Sequence, residues 1–248
     1  MQKQVAVVTG GSRGVGLTIT KTLAKMDFDV YTCARQATAI DLPGVRLTTL
    51  DVTDYHAADA WINAILKETG RIDVLVNNAG VMSAVGPLAD VDPDDWEAVF
   101  RVNVFAVTRL CRRVIPVMAE QGGGCIINLA GGGSAYPRKH FTAYACSKAA
   151  VVRLSDSLAE ELRPLGIRVN AIGPGLQQSE IWRHAEEAGE KPPSQPWDSP
   201  QDLAELIQFL VTTPTVTGKF LHIKDKYREA APATLSSDLW TLRRINPS

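Results

Sequence analysis

The sequence predicts a single α/β domain built on a doubly wound parallel sheet of about seven strands, and three observations carry that prediction. Short apolar, β-branched runs alternate with longer amphipathic stretches along the chain, the pattern of a parallel sheet covered by helices on both faces. A glycine-rich turn, Thr9-Gly10-Gly11-Ser12-Arg13-Gly14-Val15-Gly16, joins the first apolar run directly to the first amphipathic one. The length of 248 residues, 45% hydrophobic and 21% charged, suits one large domain with a substantial core.

In chain order, the β-branched runs place strands at Val5 to Thr9, Val30 to Cys33, Val45 to Leu50, Val74 to Asn77, Cys125 to Leu129, Arg168 to Ala171 and Phe220 to Ile223. Apolar residues at helical spacing place helices at Val15 to Met26, Tyr55 to Glu68, Asp94 to Glu120, Phe141 to Leu162 and Pro200 to Val211. One stretch breaks the alternation. Arg183 to Ser199 is polar and carries Pro192, Pro193 and Pro196, so it reads as a mobile excursion, either a surface loop or a lid over a ligand. The tail from Lys224 to Ser248 mixes charge with Leu235, Leu239, Trp240 and Leu242, so part of it is expected to pack, on this chain or on another subunit.

Charge narrows the function. A net charge of −1 with mixed-sign helices gathers no nucleic acid, and no apolar run approaches the length of a membrane span. Met1-Gln2-Lys3-Gln4 leads straight into Val5 without a signal-peptide pattern, so a cytoplasmic location is expected. Cys33, Cys111, Cys125 and Cys146 lie far apart with no paired metal spacing; they read as reduced thiols, and no metal site is expected.

The glycine turn is the first candidate site. Gly10 permits a tight turn, Gly14 lets backbone approach a pyrophosphate, and Gly16 lets helix pack close on strand, with the phosphates at the positive helix N-terminus. Ser12, Arg13 and Val15 complete the candidate contacts. The second strand ends Cys33-Ala34-Arg35, with no carboxylate to accept ribose hydroxyls. Arg35 and Arg13 are instead placed to bond a 2′-phosphate, which favours NADP over NAD. The second candidate is Tyr144-Ala145-Cys146-Ser147-Lys148, a phenol and an amine one helical turn apart. An ammonium on that face favours the phenolate and is expected to lower the tyrosine pKa toward neutrality.

Together with Asp51-Val52 after the third strand, Asn77-Asn78-Ala79-Gly80 after the fourth, Asn103 in the long central helix and Pro174-Gly175 after the sixth, these motifs resemble the classical short-chain dehydrogenase/reductase family over nearly the whole chain. The resemblance implies a Rossmann fold, a homo-oligomer often built on the central helices, and hydride transfer between NADPH and a small carbonyl or alcohol substrate. It implies that Asp51 and Val52 meet the adenine, and that Asn78, Ala79 and Gly80 line the cofactor beside the ribose. Pro174 and Gly175 fall within the cofactor site, and Ser179 stands where a hydroxyl contacts the nicotinamide carboxamide. Lys148 would bond the nicotinamide ribose and lower the Tyr144 pKa, Tyr144 would give or take the proton, and Asn103 would hold a water leading to solvent.

The chain departs from the family pattern at one point. A serine that bonds the substrate oxygen belongs at the end of the fifth strand, where this chain has Ala130 and Gly131. Loss of one such donor typically slows a reaction about 10²–10³-fold without abolishing it. Ser134 is the candidate replacement, since Gly131 to Gly133 make the loop permissive; Tyr136 and His140 are weaker substitutes. The leading reading is an NADPH-dependent carbonyl reductase. A non-redox lyase or cyclase on the same scaffold and a catalytically silent nucleotide-binding protein stay open beside it.

Overall fold

The computed structural model describes residues 2–36, 40–178, 180–191, 194–230 and 240–241. Seven strands form one parallel sheet: β1 Val5–Thr9, β2 Asp29–Ala34, β3 Val45–Thr49, β4 Val74–Asn77, β5 Gly124–Leu129, β6 Ile167–Gly173 and β7 Phe220–His222. Their order is β3-β2-β1-β4-β5-β6-β7, and every pairing is parallel. The helices are α1 Gly14–Lys25, α2 Tyr55–Thr69, α3 Pro93–Phe100, α4 Val107–Glu120, α5 Thr142–Leu162, α6 Arg183–Glu187 and α7 Pro200–Thr212. The expected doubly wound sheet is therefore present.

A central strand covered on both faces must be apolar throughout, and β1 reads Val-Ala-Val-Val before its terminal threonine. Its period of two divides it between two cores. Val5 and Val7 join Trp61, Ile62, Leu110 and Leu162 beneath α2, α4 and α5. Ala6 and Val8 join Ile19, Leu23, Leu203 and Ile207 beneath α1 and α7. Ile19, Ile62 and Leu75 are wholly buried, and each such side chain contributes about 1.5–3 kcal/mol. Helix ends follow local chemistry: Asp54 accepts from the Ala57 N–H, Ser199 accepts from the Gln201 N–H, and α2 ends on Gly70 in the left-handed region.

Two expectations are corrected. The helix predicted from Asp94 to Glu120 is divided, with a π-helical stretch at Arg101–Ala106 between α3 and α4. Asn103 lies within that stretch, and its side chain is fixed to neighbouring elements, a common setting for such a widened turn. The polar excursion from Arg183 begins instead as the short helix α6, which follows a 3₁₀ turn at Glu180–Trp182. Trp182 and Ala185 are buried there against Met82, Phe141 and Tyr144, so tertiary packing overrides a loop-like composition. Its far end is also tied down, since Leu176 N–H donates to Asp198 Oδ2 at 2.7 Å and Asp198 N–H to Leu176 O at 2.8 Å. Part of the tail packs on its own chain: Tyr227 is buried in the core under α7, and Phe220 N–H donates to Trp240 O at 2.7 Å. Leu235, Leu239, Leu242, Pro192, Pro193 and Ser179 lie outside the described residues. Among the described residues no helix is long and apolar enough to cross a membrane.

Candidate active site

Because all seven strands run the same way, their carboxyl ends share one edge of the sheet, the edge on which open α/β sheets bind ligands. A cavity of about 1590 Å³ runs along it, larger than the 300–1,000 Å³ usual for one small ligand. Every predicted residue of the glycine turn lines this cavity, as do Arg35, Asp51, Val52, Asn78, Ala79, Gly80, Tyr144, Lys148, Pro174 and Gly175.

The end of the cavity at the glycine turn is made mainly of backbone. Gly10 has φ +67°, and α1 lies so near the turn that a Cβ on Gly16 would come 2.1 Å from Gly10 O. Asn78 fixes this approach, donating from Nδ2 to Thr9 O at 2.8 Å and Gly10 O at 3.0 Å, while Thr9 Oγ1 accepts from the Asn78 and Ala79 N–H groups. Among the described residues no side chain caps α1, and its first turn has no acidic residue. Its N–H groups and partial positive charge are thus left for an anion, with the exposed side chains of Arg13 and Arg35 on the same cavity. These features fit a dinucleotide phosphate.

The end of the cavity at Tyr144 and Lys148 is made of side chains. Tyr144 and Lys148 project from one face of α5, both buried. Lys148 Nζ donates to Leu129 O at 2.8 Å and lies 5.8 Å from the centre of the Tyr144 ring. The electrostatic expectation for this pair is corrected. Burial pushes the Tyr144 phenol above its usual pKa, opposed by the Arg138 charge, and burial pushes Lys148 down to about 8. Each charge is disfavoured by desolvation, and the ammonium is tethered at the β5 carbonyl.

Asn103 is close by, since a Cβ on Gly80 would lie 3.3 Å from its Oδ1 and 3.4 Å from Lys148 Nζ. It does not line the cavity. Its Oδ1 accepts from Val81 N–H at 2.9 Å, and its Nδ2 donates to Val81 O and Ser147 Oγ, each at 3.0 Å. The Asn103 side chain thus clamps the β4 loop to α5. Ser134 also lies outside the cavity lining, and its Oγ donates to Gly131 O at 2.5 Å, so its hydroxyl closes its own turn. His140 Nδ1 pairs with Glu190 Oε1 at 2.5 Å, joining the loop before α5 to the segment after α6. Gly131 faces the phenol directly: a Cβ there would stand 2.9 Å from the Tyr144 hydroxyl.

Sequence reasoning passed over two residues here. Ser147, inside the Tyr144-to-Lys148 turn, joins Asn103 to the Tyr144 carbonyl, which its Oγ meets at 2.7 Å. Arg138 lines the cavity from the loop before α5, where a lone arginine among polar residues gives no periodic signal. Of the four thiols, Cys33, Cys111 and Cys125 are buried and Cys146 is exposed. Burial pushes Cys33 and Cys111 up to about 12.

A family model described as short chain dehydrogenase matches residues 4–190. A 3alpha-hydroxysteroid dehydrogenase of Mediterraneibacter gnavus is 31% identical over 241 residues, covering 90% of this chain and 96% of its own. Among solved structures, a variant of the actinorhodin polyketide ketoreductase with NADPH superposes with a TM-score of 0.79 at 28% identity, covering 90% of this chain and 97% of that one. A 3-ketoacyl-(acyl-carrier-protein) reductase from Brucella melitensis complexed with NADH gives the same TM-score of 0.79 at 28% identity, covering 89% and 96%.

Proposed function

The chain belongs to the short-chain dehydrogenase family, oxidoreductases of alcohols and carbonyls, and from that premise we propose that it is an NADPH-dependent carbonyl reductase using Tyr144 as its proton donor. One observation carries the reading: Tyr144 and Lys148 open onto the same cavity as an uncapped helix N-terminus flanked by Arg13 and Arg35. The two arginines support NADPH, although solved relatives with NADPH and with NADH are equally similar in fold. A reduced nicotinamide bound at this edge supplies hydride to the carbonyl carbon.

The chain's own part is to move a proton and to hold groups still. Burial that raises the Tyr144 pKa keeps the phenol protonated at neutral pH, the form that reduction needs. The phenol gives its proton to the carbonyl oxygen as the alcohol forms, and the phenolate regains one by way of Lys148, whose pKa near 8 lets it exchange protons at neutral pH. Lys148 uses one N–H on Leu129 O and keeps others for a ribose hydroxyl. Asn103 positions α5 against the β4 loop through Ser147 and Val81.

The test is NADPH oxidation with a ketone panel. Tyr144→Phe is expected to lower turnover about 10³-fold while NADPH binding is kept. Full turnover in that variant would refute the proton donor. The bare Gly131 before the phenol favours one rival, a protein that binds the dinucleotide without turning over. Tight NADPH binding with no oxidation across the panel would establish that rival.

A further inference from the structure

We propose that Arg138 anchors a carboxylate on the substrate, so that the carbonyl compounds reduced here are short keto acids. The proposal rests on the reductase reading above and names its substrate class. It begins at the glycine loop. A Cβ on Gly133 would lie 3.3 Å from Arg138 Cδ and 3.4 Å from Tyr144 Cδ1, so the arginine stem and the phenol ring converge where position 133 has no side chain. The Arg138 guanidinium then sits 5.0 Å from the centre of the Phe141 ring and 5.2 Å from that of Trp182. Both rings are buried, at 6% and 8% exposure, which gives the cation a rigid apolar seat.

This charge has no ion-pair partner among the described residues, unlike Asp198 on the same cavity wall. Asp198 is paired with Lys224 at 2.7 Å, and its other oxygen accepts from the Leu176 N–H. Glu186 also lines the cavity but makes no ion pair with Arg138. The guanidinium is near enough to act electrostatically on the Tyr144 phenol. A planar fork of N–H donors matches a carboxylate in bidentate geometry, whereas a neutral carbonyl compound gives it one weak acceptor.

The same placement accounts for the missing serine. Gly131 puts no side chain before the Tyr144 hydroxyl, and nearby Ser134 is turned onto Gly131 O. A substrate gripped by its carboxylate on Arg138 needs no separate hydroxyl to present its carbonyl oxygen to the phenol. The reaction balances as before: hydride reaches the carbonyl carbon, Tyr144 supplies the proton, and the carboxylate is unchanged.

The experiment compares phenylglyoxylate with methyl phenylglyoxylate, and acetoacetate with ethyl acetoacetate, in the wild type, Arg138→Lys and Arg138→Gln. Benzoate and benzamide binding to the NADPH-loaded protein is measured in parallel. The acids are expected to exceed their esters in kcat/KM by about 10²-fold, the gap closing in Arg138→Gln through a higher KM and partly returning in Arg138→Lys. Benzoate is expected to bind, benzamide to bind at least about tenfold more weakly, and Arg138→Gln to erase the difference. NADPH affinity held at the wild-type value reports that the variants are folded. Esters reduced as well as acids, or equal losses for both in Arg138→Gln, would overturn the anchor and leave the reductase standing. No turnover with any compound, but Arg138-dependent benzoate binding, would sink the reductase and keep the anchor. Neither turnover nor benzoate binding would remove both.

Discussion

The two ends of the cavity are built from different materials. The nucleotide end is backbone brought close to backbone: Gly16 against Gly10 O, and the Asn78 amide bonded to two carbonyls of the β1 turn. The catalytic end is side chain on side chain, with Tyr144, Phe141 and Trp182 packed together and Arg138 across the rings. A site made of main chain tolerates change in the residues around it but not in the glycines that allow the approach. A site made of side chains can exchange one chemical group for another on the same scaffold. That contrast fits a glycine turn that keeps its close backbone approach beside a phenol faced by the bare Gly131. It also predicts a division of labour, with changes at one end moving cofactor affinity and changes at the other moving turnover.

Lys148 offers the largest effect. Lys148→Met is expected to lower turnover about 10³-fold in the ketone assay. It is also expected to stabilise the fold at neutral pH, because burial that holds the lysine near 8 disfavours the folded state while the amine is charged. The sign follows from the lowered pKa of a basic group. Between about 8 and the ordinary 10.5 the unfolded chain binds more protons than the folded one, so wild-type stability rises with pH across that window. The full shift corresponds to about 3 kcal/mol, less the lost bond to Leu129 O at about 1 kcal/mol. Urea midpoints at neutral and alkaline pH test this: the variant should be the more stable at neutral pH and lack the alkaline rise. A variant less stable at neutral pH would show that the burial is not a strain. In the wild type, reductase turnover should fall as pH rises through about 8, where Lys148 loses its proton.

Gly16→Ala tests the backbone end. The added methyl would meet Gly10 O at 2.1 Å and Asn78 Nδ2 at 2.5 Å, so α1 must move away from the turn. NADPH Kd is expected to rise about 30-fold, measured by fluorescence titration, with stability reduced by about 1–3 kcal/mol. Turnover at saturating cofactor should change far less. If kcat fell as much as affinity, the two ends would not be separable.

Gly131→Ser puts a hydroxyl before the phenol and is expected to lower kcat/KM by about tenfold. Gly131 has φ +156°, a backbone conformation that side chains rarely adopt, and its Cβ would press on the Tyr144 hydroxyl at 2.9 Å. A gain in activity would mean that the catalytic end still has room for the hydroxyl it lacks.

The same contrast governs what could be read before the fold was known. Strands β1 and β4 match their predicted bounds, because apolar runs buried on both faces admit few other readings. The close approach at the glycine turn was legible because glycine spacing records it directly. The π-helical stretch was not, since Asn103 is held by Val81 and Ser147, contacts that no periodicity encodes. Nor was α6, whose helix depends on Trp182 and Ala185 meeting Phe141 and Tyr144 from a distant part of the chain. The Tyr144 pKa was misjudged because spacing shows that two groups share a face but not how dry that face is.

Arg35→Gln gives the smallest effect and the narrowest test of the comparison. Arg35 is exposed at the end of β2, opposite the catalytic end of the cavity, so its charge is screened by water and salt. NADPH affinity should therefore fall only about fivefold, since an exposed ion pair contributes up to about 1 kcal/mol. NADH affinity should stay level, because only the 2′-phosphate distinguishes the two. Raising salt should shrink the NADPH effect in the wild type and leave the variant nearly unchanged. Equal losses for both cofactors would show that Arg35 supports the turn itself, and the preference for NADPH would then rest elsewhere at the backbone-built end.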